Sequence, residues 1–278
     1  MDYRDISFSV LLSVYAKENS NYLNEALTSI WDQQSLKPDQ IVLVKDGLLT
    51  DELNKKINIW KKKLGEVFTI VELPKNVGLG AALNYGLKQC NHEIVARMDT
   101  DDISLPDRFE KQIEYLKLNP DIVLLSGYIK EFQNKPDDKC YIRKVPLEYY
   151  KIIKYLKWRN AFNHVTVFFK KSAVLAVGGY NSIITYFEDY DLWIRLVQAQ
   201  YRVSNIPEIL VNVRIGNNMI GRRHGIAYTK KEISFLYMQK KKGFLSLFDY
   251  YLLIFLRIPL RLIPKNILSL LYLLLRNN

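Results

Sequence analysis

From Phe8 to Met98, short apolar runs alternate with amphipathic stretches, and this rhythm confines the chain to a layered α/β architecture. Phe8–Val14, Ile41–Val44, Phe68–Glu72 and Glu93–Met98 read as strands, each bounded by polar turns. Between them, Asn21–Gln33 repeats Leu23, Ala26, Leu27 and Ile30 at helical spacing, and Asp51–Leu64 is amphipathic. Gly80–Cys90 sets Leu83 and Leu87 on one face. A helix between successive strands lets each strand run in the same direction. The expectation is a mostly parallel central sheet flanked by helices. Ser104 reads as the N-cap of a further helix, with Pro106 in its first turn and Pro120 as its stop. Ile122–Ile129 and Val165–Phe169 read as later strands, Gln133–Lys139 as a loop, and Leu147–Trp158 as a helix. Another helix starts at Glu188, and helices dominate from Gly225 onward.

In open α/β sheets, ligands bind beyond the carboxyl ends of the strands. Directly after the fourth strand stands Asp99-Thr100-Asp101-Asp102. Capping a helix needs one acid at most, and Ser104 already fills that place. Neighbouring carboxylates repel one another unless a cation joins them, and oxygen donors suit a hard divalent ion. Glu188 and Asp189 open a helix whose Leu192, Trp193 and Leu196 have core spacing. The helix dipole alone favours acids there, but a carboxylate in that place also serves as a general base. Asn76-Val77-Gly78-Leu79-Gly80 is a weak glycine-rich loop, equally readable as a turn. Asp46-Gly47 after the second strand is either a turn or a nucleotide contact. His164 beside a strand reads first as structural, and Arg222-Arg223-His224 as a phosphate contact or solvated surface.

Charge separates body from tail. The chain of 278 residues carries a formal charge of +11, yet from Arg222 onward there are 11 basic residues against Glu232 and Asp249 alone. A nearly neutral body with a basic tail rich in Leu, Phe and Tyr points to an anionic membrane surface, not to nucleic acid. Phe244–Leu256 and Ile267–Leu275 are the tail's apolar stretches, and both fall short of the roughly 20 residues that span a bilayer. Arg257, Arg261 and Lys265 are spaced for one helix face, although Pro259 and Pro264 are expected to break or kink it. Cys90 and Cys140 build neither a disulfide framework nor a metal-ligand spacing, and the first residues read as leading into a strand, not as a signal peptide.

The ordered set resembles glycosyltransferase family 2, the inverting enzymes with the GT-A fold, over about Phe8 to Arg223. It comprises Ser13-Val14-Tyr15, Leu27–Gln33, Ile41–Gly47, Asn76–Asn84, Arg97–Asp102, Gly178-Gly179-Tyr180 and Glu188–Trp193. The likeness is greatest to the members that build O-antigens and exopolysaccharides. It implies a GT-A catalytic domain over 1–224, with a nucleotide-sugar half to about 130 and an acceptor half from 131. A helical, basic, membrane-associating region follows over 225–278. It implies a UDP-sugar donor held by Val14, Tyr15, Asp46, Asn76, Gly78, Arg97, Asp99 and Thr100. Mn2+ or Mg2+ would sit on Asp99 and Asp101, and Asp189 would be the catalytic base. His164, Glu188, Arg222 and His224 would meet the acceptor or phosphates. The acceptor would be a lipid-linked saccharide, and the enzyme would attach peripherally to the cytoplasmic face of the membrane. One departure is Lys45-Asp46-Gly47 where Asp-Asp-Gly is commoner, so one acid is missing beside the uridine.

Two other classes fit parts of the sequence. A nucleotidyltransferase also pairs an α/β sheet with metal-bound carboxylates, but releases pyrophosphate. A non-enzymatic lipid- or nucleic-acid-binding protein would rest on the charge alone. A phosphatase with an Asp-x-Asp nucleophile would carry it on the first strand, not after the fourth.

Overall fold

The computed structural model describes residues 6–133, 135, 136, 138, 141–215 and 224–263. Strands β1 (Phe8–Val14), β2 (Gln40–Lys45), β3 (Phe68–Glu72) and β4 (Ile94–Arg97) pair in parallel in the order β3-β2-β1-β4. Helices α1 (Ser20–Ile30), α2 (Asp51–Leu64) and α3 (Leu79–Gln89) connect them, as the alternation predicts. Register aligns the strand ends: Val14 lies opposite Lys45, and Lys45 opposite Glu72. Tyr15, Asp46 and Asp99 therefore emerge along one edge.

β1, β2 and β4 are buried on both faces, and alternate side chains feed two cores. Leu11, Val42 and Val44 pack with Ala82, Leu83 and Leu87 of α3. Val10, Leu12, Ile41 and Leu43 pack with Leu23 and Leu27 of α1 and with Ile57 and Trp60 of α2. Gly86 lets α3 sit close on the sheet, because a Cβ there would lie 2.5 Å from Leu11 Cδ1 and 2.6 Å from Val44 Cγ2.

The second half turns the sheet mixed. It adds β5 (Ile103–Ser104), β6 (Ile122–Phe132), β7 (Tyr141–Arg143), β8 (Phe168–Lys170) and β9 (Arg202–Arg214), which extend the order to β4-β8-β6-β9-β5 with β7 beside β6. Four helices belong to this half: α4 (Arg108–Leu118), α5 (Tyr149–Leu156), α6 (Lys171–Ala176) and α7 (Glu188–Gln198). The α4 start differs from expectation. Ser104 is not an N-cap: it is buried in β5, opposite Val211, and its N–H donates to Ser29 Oγ at 3.0 Å. Asp107 occupies the cap, so the acids at 99–102 belong to no helix terminus.

Long β9 pairs in parallel with β6 and was invisible to pattern reading, because Pro207 and polar residues interrupt it. The structure resolves the conflict with a bulge: Gly127 faces Ile206, Tyr128 faces Ile209, and Pro207 and Glu208 fall in the register shift.

The tail forms two helices, α8 (Ile226–Lys241) and α9 (Leu247–Leu262), packed on the body. Tyr228, Phe235, Leu236 and Leu253 join the α3-side core. Ser246 and Asp249 cap α9 reciprocally. Pro259 does not break α9, which runs on to Leu262; it sits in the last turn. Arg257 and Arg261 point inward to the fully buried carboxylate of Glu232, at 2.5 and 2.8 Å. Lys265, Pro264 and Cys140 lie outside the described residues. No helix among the described residues is long and apolar enough to cross a membrane.

Candidate active site

The edge above the strand ends gathers most of the residues singled out from the sequence. Asp46 receives both N–H groups of the adjoining loop: Val77 N at 2.7 Å and Gly78 N at 3.2 Å. Asn76 Nδ2 donates to the Asp46 carbonyl, and Gly47 turns at a φ of 88° against the Asn76 backbone. Asp46 thus shapes the 76–78 loop. Lys45, where an acid is commoner in the family, pairs with Glu72 at 2.6 Å. Tyr15 stands partly exposed, and Thr100 is buried and donates to Glu18 at 3.1 Å.

Oxygens of Asp99, Asp101 and Asp102 all lie within 4.8 Å of one another. Burial, then the charges of Asp99 and Glu18, push the Asp101 carboxyl up to about 7. Burial and its neighbours Asp101 and Asp99 raise Asp102 well above the usual range. Asp102 accepts the Arg214 N–H at 2.8 Å, and Arg214 Nε reaches the Asp101 carbonyl at 3.2 Å. An all-oxygen set held together against its own repulsion fits a hard divalent cation.

Arg97 lies beneath this cluster, only 1 % exposed, paired with Asp99 and with its Nε lacking a hydrogen-bond partner. Its charge is felt on every side, by Asp101, Asp102, Glu188, Tyr180 and His164. Behind it, buried Arg108 donates to the Arg97 carbonyl at 2.7 Å and secures the turn into Asp99.

The start of α7 closes the site from the other side. A Cβ on Gly80 would lie 3.3 Å from Glu188 Cβ, which sets the acid pair beside the 76–80 loop. Asp189 accepts from Asn160 Nδ2 at 2.7 Å. Glu188 Oε2 is enclosed without a hydrogen bond. Burial first, and the charge of Asp189 second, raise the Glu188 carboxyl from 4.5 to about 7. A raised folded-state value means the neutral form suits the fold. That stability is fully present below pH 4.5 and is lost as pH rises through about 7. Glu188→Gln therefore gains on wild type by about 2–3 kcal/mol between pH 4.5 and 8.5. Urea unfolding at the two pH values measures it, and an equal difference at both refutes it.

His164 is half-buried and partnered within the protein. Its Nε2 meets the Tyr180 hydroxyl at 2.9 Å, its ring abuts Trp193, and burial with the Arg97 charge keeps it neutral at pH 7. His224 bonds the Ile263 carbonyl and ties α8 to the end of α9. Arg222 lies outside the described residues. Sequence reasoning missed Asn160, Arg214 and Glu18, which no spacing marks. Tyr180 was within its reach through Gly178-Gly179-Tyr180.

A parallel βαβ half ending in a carboxylate cluster, faced by an acid pair on a helix of the second half, defines a GT-A transferase of activated sugars. The chain belongs to glycosyltransferase family 2. The sequence profile "Glycosyl transferase family 2" matches residues 9–178. The amylovoran biosynthesis glycosyltransferase AmsE of Erwinia amylovora is 40% identical over 268 residues, covering 95% of this chain and 97% of that protein. The UDP-Gal:alpha-D-GlcNAc-diphosphoundecaprenol beta-1,3-galactosyltransferase of Escherichia coli is also 40% identical, over 266 residues, covering 95% and 94%. Among solved structures, the mannosyltransferase PcManGT of Pyrobaculum calidifontis, in complex with GDP-Man and Mn2+, superposes with a TM-score of 0.63 at 16% identity, covering 92% of this chain and 70% of that one.

Proposed function

We propose that this glycosyltransferase moves a hexosyl or N-acetylhexosaminyl group from a UDP-sugar to a hydroxyl of a polyprenyl-diphosphate-linked saccharide, with inversion, in O-antigen or exopolysaccharide synthesis. The observation that carries the reading is the pairing of the 99–102 carboxylate cluster with an Asp189 carboxylate held by Asn160, Asp189 and Asp99 both acting on buried Tyr180. The full-length likeness to the galactosyltransferase supports the donor and the lipid-linked acceptor.

Val14, Tyr15 and the 76–78 loop, shaped by Asp46, hold the uridine. Arg97 fixes Asp99 and stands close to the diphosphate, and Thr100 lines the same edge. Asp99 and Asp101 would hold Mn2+ or Mg2+, which when bound offsets negative charge on the diphosphate. Asp189 takes the proton of the acceptor hydroxyl. That oxygen bonds to the anomeric carbon from the face opposite the diphosphate. The bond from that carbon to the diphosphate oxygen breaks, and UDP leaves with the electron pair. Asn160 keeps the Asp189 carboxylate aimed. The excess positive charge of the tail supports work at the cytoplasmic membrane surface, by peripheral attachment.

Incubation of the full chain with Mn2+ and a panel of UDP-sugars is expected to release UDP for one donor. The rate should rise when a lipid-linked saccharide is added. Release of pyrophosphate in place of UDP marks a nucleotidyltransferase and ends the proposal.

A further inference from the structure

The basic residues of α9 do not face outward, and what does face outward carries no charge. The helix holds three charged residues, and all are engaged inward or at its base. Asp249 completes the capping box and meets Lys157, while Arg257 and Arg261 grip Glu232. At 100° per residue, Phe248, Tyr251, Phe255 and Leu262 fall on the opposite side. They are 73%, 62%, 75% and 51% exposed.

We propose that this face of α9 is the element that enters an anionic lipid surface, lying in the plane of the headgroups with Phe248 and Phe255 as its wedges. The proposal deepens the membrane-surface part of the reading above and rests on it. Three observations favour a bilayer. First, the helix is about 24 Å long, too short to cross the roughly 30 Å of hydrocarbon but suited to lie along it. Second, Tyr251 adjoins Tyr250, and Lys240 lies over the Tyr250 and Tyr237 rings with Lys241 also over Tyr237. Aromatic rings with ammonium groups at their rim match the boundary between acyl chains and phosphates. Third, charge decides against a second copy of the chain, because two copies would bring the same lysine rim together. The 15 residues after Ile263 bring Lys265 and Arg276, of the same sign. The inward Glu232 clamp reverses the simpler idea that Arg257 and Arg261 bind lipid phosphates: they hold the helix so that its uncharged side is presented.

The test uses the full chain in flotation with phosphatidylcholine vesicles, with and without phosphatidylglycerol. Hydrolysis of a UDP-sugar in solution is followed alongside. Wild type is expected to float with the anionic vesicles. The double variant Phe248→Ser, Phe255→Ser is expected to bind them at least about 30-fold more weakly, from the lost apolar burial, with hydrolysis unchanged. If the double variant floats as wild type does, this face is not the insertion element, although surface attachment stands. If wild type does not float at all, both fail. If sedimentation shows a wild-type dimer that the double variant loses, the face joins two copies and the proposal is overturned.

Discussion

Asp189→Asn lowers sugar transfer by about 10²- to 10⁴-fold, the range expected when a positioned general base is removed. The amide keeps the shape of the carboxylate but has no basicity, and it can still meet Asn160 after a flip of its own amide. The fold is therefore retained. Donor binding is expected to be retained as well, since Asp189 stands on α7 and not among the strand-end residues proposed to hold the nucleotide. The measurement is a pair: the turnover number for transfer, and the dissociation constant for UDP. A fall in turnover with an unchanged constant is the expected outcome. A matching loss in UDP affinity would move Asp189 out of the acceptor role. Asn160→Asp sharpens the experiment, because a second carboxylate at 2.7 Å disfavours ionisation of the base and shifts the acid limb of the rate profile upward in pH.

Asp101→Asn is expected to cost about 10³-fold in transfer, since on the proposed reading several kcal/mol of charge stabilisation at the diphosphate would depend on this group. It has an effect of opposite sign on the bare protein. Asp101 is squeezed by Asp99, Asp102 and Glu18, so removing its charge relieves repulsion and raises the thermal midpoint without added metal. Added Mn2+ raises the midpoint of wild type by mass action and does little for the variant. The two curves therefore converge as Mn2+ increases. A variant that is both inactive and destabilised without metal would mean that Asp101 is a structural residue.

Different parts of the molecule were legible to different degrees. The four parallel strands and their helices were plain, because burial on both faces writes near-continuous apolar runs into β1, β2 and β4 and each helix keeps a clear stripe. The acidic cluster was legible for a related reason: its placement after a strand is set by local sequence. Ser104 misled because Ser-Leu-Pro-Asp is also how a helix begins; long-range pairing with Val211 and the N–H bond to Ser29 override that local preference. β9 was hidden by Pro207, whose missing donor is harmless only because a bulge places it off the ladder. Asn160 and Arg214 reach the site by tertiary folding alone, from 29 and 112 positions away from their partners Asp189 and Asp102.

Asp191 is fully buried two residues after Asp189, and it accepts from Arg195 on its own helix and from Gln239 and Lys242 of the tail. The tail is thereby bolted to the helix that carries Asp189. Swapping tails between relatives would disturb α7 unless the donor sequence supplies equivalents of Gln239 and Lys242. The outward residues of the last helix, by contrast, can vary without loosening the bolt.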